Sequence, residues 1–295
     1  MIYFTVKTLF NLIGRIPQKW SVALSHVLGQ TWFLVDKRHR EIALNNLTLA
    51  FGHEKSPNEI HMIARQVFKN LIQIVFEIGW SLHLDEKRWK EYFKIEGLTN
   101  IQNAFEKGKG VLALTAHLGN FELLTIIGAI IAYPISIVVR PLDFKPMDRF
   151  FMDLRTRHGA GIIKKRRSFR TILESLNQGE MVALLLDQNV DWYEGVFVDF
   201  FGRRACTNKG LALLAIKTKA PVVPVFLERH DSGFTAHFLP EIPLISTGDK
   251  TIDVEENTQQ YNNVLESFVK QHVDQWFWIH QRWKTQAYHP WPREL

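Results

Sequence analysis

Three short apolar runs in this chain each end in polar side chains able to do chemistry. Val111–Thr115 (VLALT) leads into His117 and then Leu118-Gly119-Asn120-Phe121-Glu122. Ile135–Val139 (ISIVV) leads into Arg140-Pro141, and Met181–Leu186 (MVALLL) into Asp187-Gln188-Asn189. If His117 and Glu122 both lay on one helix they would point about 140° apart. His117 therefore belongs in a turn, with Asn120 as N-cap and Glu122 in the first turn of a following helix. From there the carboxylate reaches back toward the imidazole, and the helix N-terminus favours its ionised form. A carboxylate that holds one ring nitrogen as a donor leaves the other free to take a proton, which makes a general base for activating a hydroxyl. With 12 histidines in the chain, a His and a Glu at this spacing also arise by chance. Arg140 alone reads equally as a surface cation, and Asp187 as a strand-ending turn residue. Their shared place, beyond the ends of apolar runs, favours function.

The elements that position these groups follow from the pattern around them. Residues 1–92 read as helical throughout. Phe51-Gly52 closes one helix, and Ser56-Pro57-Asn58-Glu59 opens the next with an N-cap serine, proline at the first helical position and a glutamate two residues further on. After Tyr92 short β-branched runs alternate with amphipathic stretches. Helices are predicted at Phe121–Ile131, 145–158, Ser168–Asn177, Thr207–Lys217 and Glu255–Val273. Strands are predicted at the three runs above, at Ile162-Ile163, at Pro221–Leu227 and, as an antiparallel edge, at Gly233–Leu239. Such alternation implies an α/β fold, a mostly parallel sheet flanked by helices, with ligands beyond the carboxyl ends of the strands. Two regions are expected: a helical N-terminal one over 1–92 and an α/β core over 93–295.

Other residues carry less. Cys206, placed just before a predicted helix, reads as a small buried residue, and as the one cysteine among 295 residues it excludes an intramolecular disulfide and a cysteine zinc cage. Lys164-Lys165-Arg166-Arg167 reads as a solvated basic edge, or as a surface for substrate phosphates or an acidic carrier protein. Trp276-Phe277-Trp278-Ile279-His280 reads as a core segment, with His280 and Arg282 structural. Glycine-rich phosphate loops and metalloprotease or serine-hydrolase motifs are absent. Apolar residues at 46% and charged residues at 22% describe a globular chain and exclude a disordered one.

The net charge of +6 is concentrated at the start. Residues 1–40 carry six cations against Asp36 alone, among large apolar residues such as Phe4, Trp20 and Trp32. A basic, aromatic-bearing segment suits an anionic membrane surface, and equally a pair of core helices with basic edges. Its longest uncharged run, Trp20–Val35, is 16 residues, short of the roughly 20 apolar residues a span needs. A peripheral or monotopic attachment is expected rather than a crossing. Charge beside aromatics suits lipid better than nucleic acid, and no nucleic-acid partner is expected.

The segment TAHLGNFELL at 115–124 resembles the bacterial lipid A biosynthesis lauroyl/myristoyl acyltransferases, whose hallmark is a His followed five residues later by Glu or Asp. The likeness extends through RHREIALNNLTLAFG (38–52), VVRP (138–141), LLLDQN (184–189), VFVDFFGRRACTNKGLALLAIKTKAPVVPVF (196–226) and WFWIHQRWK (276–284). It implies a glycerol-phosphate-acyltransferase-like fold at the cytoplasmic face of the cell inner membrane. The implied reaction moves a fatty acyl chain from an acyl carrier protein thioester, or acyl-coenzyme A, to a hydroxyl of a lipid A precursor. Carried onto this chain, His117 is the base and Glu122 its partner, while Asn120, Arg140, Asp187 and Gln188 are candidate substrate-binding groups. No metal or other cofactor is implied, because a thioester donor needs none. The same HLGNFE segment is shared by relatives that acylate other glycolipids. An acyltransferase for another glycolipid or aminolipid, and a non-catalytic lipid-binding protein, are the alternatives.

Overall fold

VLALT, MVALL and ISIVV are all strands, and they are neighbours in one sheet. The computed structural model describes residues 1–286. Four helices come first: α1 (Ile2–Ile13), α2 (Gln18–Val35), α3 (Lys37–Phe51) and α4 (Pro57–Ser81), followed by a short α5 (Trp89–Tyr92). Then come β1 (Phe93–Glu96), α6 (Leu98–Glu106), β2 (Val111–Thr115), α7 (Leu124–Ile131), β3 (Ile135–Val139), α8 (Lys145–Thr156), β4 (Gly161–Lys164), α9 (Ser168–Asn177) and β5 (Met181–Leu185). The chain continues with a hairpin, β6 (Gly195–Phe200) and β7 (Arg203–Asn208), then α10 (Gly210–Thr218), β8 (Val222–His230), β9 (Gly233–Phe238) and α11 (Lys250–Gln271).

The seven-stranded sheet has the order β1-β9-β8-β2-β5-β3-β4, and its pairings are parallel except β8 with β9. Strand alternation divides β2 between two cores. Val111 and Ala113 pack with Ile101 of α6 and Ile127 of α7 on one face. Leu112 and Leu114 pack with Ile172 of α9 and Leu211 of α10 on the other. A third core joins the N-terminal helices to the end of the chain, with Phe33, Leu47 and Phe68 against Phe268, Trp276 and Trp278.

Two expectations are corrected here. Gly233–Leu239 is not an edge: β9 pairs antiparallel with β8 on one side and parallel with β1 on the other, where Phe93 stacks on Phe234 at 5.3 Å. Nor does a helix begin at Thr207. Arg203–Asn208 is a strand folded back on β6 through Phe201-Gly202, both at positive φ (52° and 68°), as a tight right-twisted hairpin turn requires. Cys206 is therefore a wholly buried strand residue, and burial pushes its thiol up, away from nucleophilic character.

Ser56 caps α4 as expected: its backbone N–H donates to Glu59 Oε2 at 2.8 Å, and its hydroxyl accepts from the Glu59 N–H. Helix α2 is built the other way round from a soluble helix. Its buried stripe is Ser21, Ser25, Gly29 and Phe33. A Cβ on Gly29 would lie 2.5 Å from Lys69 Cα, so glycine lets α2 and α4 touch along their backbones. Its outward side carries Trp20 and Val27, 58% and 64% exposed. Among the described residues no helix is long and apolar enough to cross a membrane.

The segment after α11 is buried behind the sheet's carboxyl edge. His280 Nδ1 bonds the Phe277 carbonyl at 2.9 Å while Nε2 is buried without a partner, and burial pushes the ring down to about 4. The unfolded chain, with an ordinary histidine near 6.5, takes up this proton at a higher pH than the folded protein does. Stability is thus complete above about pH 6.5 and falls as pH drops toward 4, by about 3 kcal/mol for this group. The depressed Asp187 carboxyl (below) acts only at still lower pH. Urea unfolding at pH 7 and pH 4.5 is expected to show this loss, and His280→Gln to reduce it.

Candidate active site

Because β2 and β5 pair in parallel from Val111–Met181 to Thr115–Leu185, the residues two places beyond each strand end also meet. These are His117 and Asp187. The imidazole Nδ1 lies 2.9 Å from Asp187 Oδ1, and the backbone N–H of His117 donates to Oδ2 at 2.9 Å. Trp276 Nε1–H donates to the same Oδ2 at 2.9 Å. Asp187 is fully buried. Burial alone would raise its carboxyl, but the charge and hydrogen bond of the His117 ring, followed by the field of His280 and the His117 N–H, hold it well below the usual carboxylate range.

Asp187 thus stays an acceptor, and Nδ1 carries the hydrogen. The lone pair is then on Nε2, which faces the exposed Gln188 amide at 3.5 Å. The ring is held by Phe121 (centroids 4.7 Å apart, edge-on) and Phe277 (5.8 Å). Its backbone is held as well: the Phe277 N–H donates to His117 O at 3.1 Å, and the Gly119 N–H to Gln275 O at 3.0 Å. Gly119 has φ +56°, and a Cβ there would lie 2.1 Å from Leu227 O, so this turn needs glycine twice over.

Glu122 does not touch His117. The chain after Asn120 makes a 3₁₀ turn, Phe121–Leu123, which carries the Glu122 side chain away from the imidazole. Its carboxylate forms a bidentate pair with Arg155 of α8, Nε–Oε2 2.8 Å and Nη2–Oε1 2.6 Å, with both side chains largely buried. Asn120 stands at the N-cap position of this turn as expected, but its side chain makes no capping bond and is wholly buried; its Nδ2 donates to Glu77 Oε2 of α4 at 3.0 Å. The same Glu77 oxygen accepts from Arg229 Nη2 of β8 at 3.0 Å. Arg140 stands exposed at the end of β3, on the same sheet edge as His117, and forms no ion pair among the described residues.

Trp276, read from the sequence as a core residue, and Arg282, read as structural, stand behind the site. Arg282 is fully buried, donating to Cys206 O at 3.1 Å and Thr207 Oγ1 at 2.6 Å. Burial pushes it down to about 10, while the field of Asp187 acts in the opposite direction. Among the described residues the arrangement is an oriented imidazole backed by a dry carboxylate, with the exposed Gln188 amide beside Nε2 and no cysteine or serine hydrogen-bonded to the ring. That suits proton removal from a hydroxyl that attacks directly.

Residues 1–285 match the model of the bacterial lipid A biosynthesis acyltransferase family. A lipid A biosynthesis acyltransferase of Haemophilus influenzae is 26% identical over 276 residues, covering 94% of this chain and 83% of its own. The lipid A biosynthesis palmitoleoyltransferase of Escherichia coli is 27% identical over 253 residues, 84% of this chain and 80% of its own. A phosphatidylinositol mannoside acyltransferase of Mycolicibacterium smegmatis is 26% identical over 172 residues, 57% of this chain and 56% of its own. With a family match along nearly its full length, the chain belongs to the bacterial lipid A biosynthesis acyltransferases and is an acyltransferase of lipopolysaccharide biosynthesis.

Proposed function

We propose that the protein transfers a fatty acyl chain from an acyl carrier protein thioester to a hydroxyl of a lipid A precursor, at the cytoplasmic face of the inner membrane, with His117 as general base. The observation that carries this reading is the His117–Asp187 contact, which leaves Nε2 as the proton acceptor at the open side of the site. Nε2 takes the hydroxyl proton as the oxygen attacks the thioester carbonyl. The tetrahedral intermediate collapses with cleavage of the carbon–sulfur bond, and the leaving thiolate takes the proton back from the imidazolium. Asp187 steadies the imidazolium while it exists. Arg140 offers a cation to the developing oxyanion or to an acceptor phosphate. Gln188 marks the place the hydroxyl occupies. Glu122 acts as a positioning residue, since its pair with Arg155 fixes α8 and the loop that begins at Arg140.

Attachment to the membrane is supported by the outward side of the first two helices. Phe4 of α1 is 67% exposed, and Trp20 and Val27 of α2 are exposed beside Lys7, Arg15 and Lys19. An apolar face of this kind, on two helices that carry cations and no Asp or Glu of their own, is the chemistry of an anionic lipid surface.

Mass spectrometry of purified protein in detergent, offered a tetra-acylated lipid A precursor and acyl carrier protein thioesters, is expected to show one added acyl chain. His117→Ala should lower kcat by roughly 10²–10⁴-fold, and full turnover by that variant would overturn the assignment of the base. Thioester hydrolysis that depends on His117, without transfer, would direct the acceptor search to another glycolipid or aminolipid.

The two carboxylates are expected to separate. Asp187→Asn should lower kcat by roughly 10²-fold or more and change the pH–rate profile, because it withdraws the charge behind Nδ1. Glu122→Gln should keep kcat within a few-fold and the profile unchanged. Arg155→Ala, which strands a buried carboxylate, should lower stability by about 3 kcal/mol. A collapse of kcat in Glu122→Gln equal to that in His117→Ala, at unchanged stability, would return Glu122 to the chemistry.

A further inference from the structure

Two loops at the mouth of the His117 site leave large aromatic side chains in the open. Phe144, in the loop between β3 and α8, is 53% exposed. Trp192 and Tyr193, four and five residues beyond Gln188, are 69% and 58% exposed. Their rings meet edge-on at 5.9 Å, and the Tyr193 hydroxyl bonds Asp191 at 3.1 Å, so this tip is formed in advance. Beside the first loop, at the outer edge of the sheet, lies the end of β4. There Lys164, Arg166 and Arg167 are exposed and pair with no carboxylate among the described residues.

These pieces are contiguous. The Lys165 N–H donates to Val139 O at 2.8 Å, which sets the basic run beside Arg140. Lys165 Nζ reaches Glu194 Oε2 at 3.1 Å, which sets it beside Trp192-Tyr193. Phe144 is the N-cap of α8, and α1 lies along α8: Phe10 stacks on Phe150 at 4.3 Å, Tyr3 bonds Asp153, and Arg149 lies 4.4 Å over the Tyr3 ring. Helix α1, whose outward side is apolar, therefore packs along the helix that Phe144 opens.

We propose that this rim is a second membrane-seating surface, in which Phe144, Trp192 and Tyr193 enter the headgroup layer of an anionic bilayer while Lys164, Arg166 and Arg167 bind lipid phosphates. The proposal rests on the membrane reading given above for α1 and α2. Aromatic side chains with one apolar and one polar end settle at the membrane–water boundary, and each cation near an anionic surface strengthens binding roughly fivefold. An acidic protein partner would account for the cations. The apolar side of α1, packed along α8, favours a partner that is flat and extensive. With the rim seated, the opening beside Gln188 and His117 Nε2 lies at headgroup depth, where the hydroxyl of a membrane-held acceptor is found.

The test uses the full chain, whose one native cysteine is buried. Single cysteines are introduced by Phe144→Cys, Trp192→Cys, Val27→Cys on the outward side of α2, and Lys109→Cys at the opposite end of the sheet. Each is labelled with an environment-sensitive fluorophore and mixed with phosphatidylglycerol–phosphatidylcholine vesicles containing a spin-labelled lipid. Labels at 144 and 192 are expected to brighten about twofold or more and to be quenched by the spin label as at 27, with no response at 109. The combined Lys164→Gln/Arg166→Gln/Arg167→Gln variant should lose roughly fivefold in anionic-vesicle affinity per cation removed, and nothing on neutral vesicles. Quenching at 27 with 144 and 192 still in water would overturn the proposal and leave the membrane reading standing. Protection of 144 and 192 by acyl carrier protein and not by vesicles would overturn it in favour of a protein-docking rim. No response at any position would remove both.

Discussion

The Asp187 carboxylate is the constraint around which the rest is arranged. It is removed from water, it is ionised, and it is satisfied by the His117 N–H, the His117 ring and the Trp276 indole. A buried unpaired carboxylate is among the most costly groups a fold can contain, so each donor is held in place by something larger. The sheet supplies the two His117 groups through the β2–β5 register. The C-terminal segment supplies the indole, with Trp276 bridged to Leu118 and Phe277 bonded to His117 O. Arg282, equally dry, sets a positive charge against it from behind. The charge that orients the His117 ring thus also joins three segments far apart in the sequence.

That dependence explains what the sequence made legible and what it hid. The α/β pattern, the three strand ends and the residues at them follow from local periodicity and from where open parallel sheets hold ligands. The partner of His117 does not, because pairing across a parallel sheet is non-local. Glu122 is five residues away in the chain and Asp187 is seventy. A signal was present: in VLALT-Ala-His and MVALL-Leu-Asp the polar residue stands two places beyond the strand, so in-register neighbours must bring the two together. Periodicity says which runs are strands, not which of them are adjacent. The hairpin Gly195–Asn208 was hidden for another reason, since Cys206-Thr207 runs directly into an apolar helix and its strand character is fixed by β6 alongside.

Helix α4 takes the part on the N-terminal side that the C-terminal segment takes behind the site. Its Glu77 receives Arg229 from β8 and Asn120 from the turn after His117. A buried ion pair adds little net stability against apolar packing, but its geometry penalises alternatives strongly. Here it fixes the angle of α4 to the sheet at the strand ends. The Glu122–Arg155 pair does the same for α8. In the HLGNFE segment three residues therefore hold the surroundings of His117: Gly119 the turn, Asn120 the contact with α4 and Glu122 the pair with α8.

Those attachments give the inverted composition of α2 a physical sense. Ser21, Ser25 and Gly29 face α4 because small residues allow close backbone contact, and the helix then has its apolar residues left to point outward. In water such a face is unfavourable; against lipid it is favourable, by roughly 25 cal/mol for each Å² removed from solvent. α4 joins this face to Glu77 and Asn120, and α1 joins it to α8, whose N-cap is Phe144. Under the proposed membrane reading, the surface that meets the bilayer is tied by buried ion pairs to the turn that holds His117. Seating then does more than concentrate enzyme and acceptor in one layer: it sets the direction of Nε2 relative to the membrane plane, so that a hydroxyl held at a given depth meets the base without a separate search for orientation.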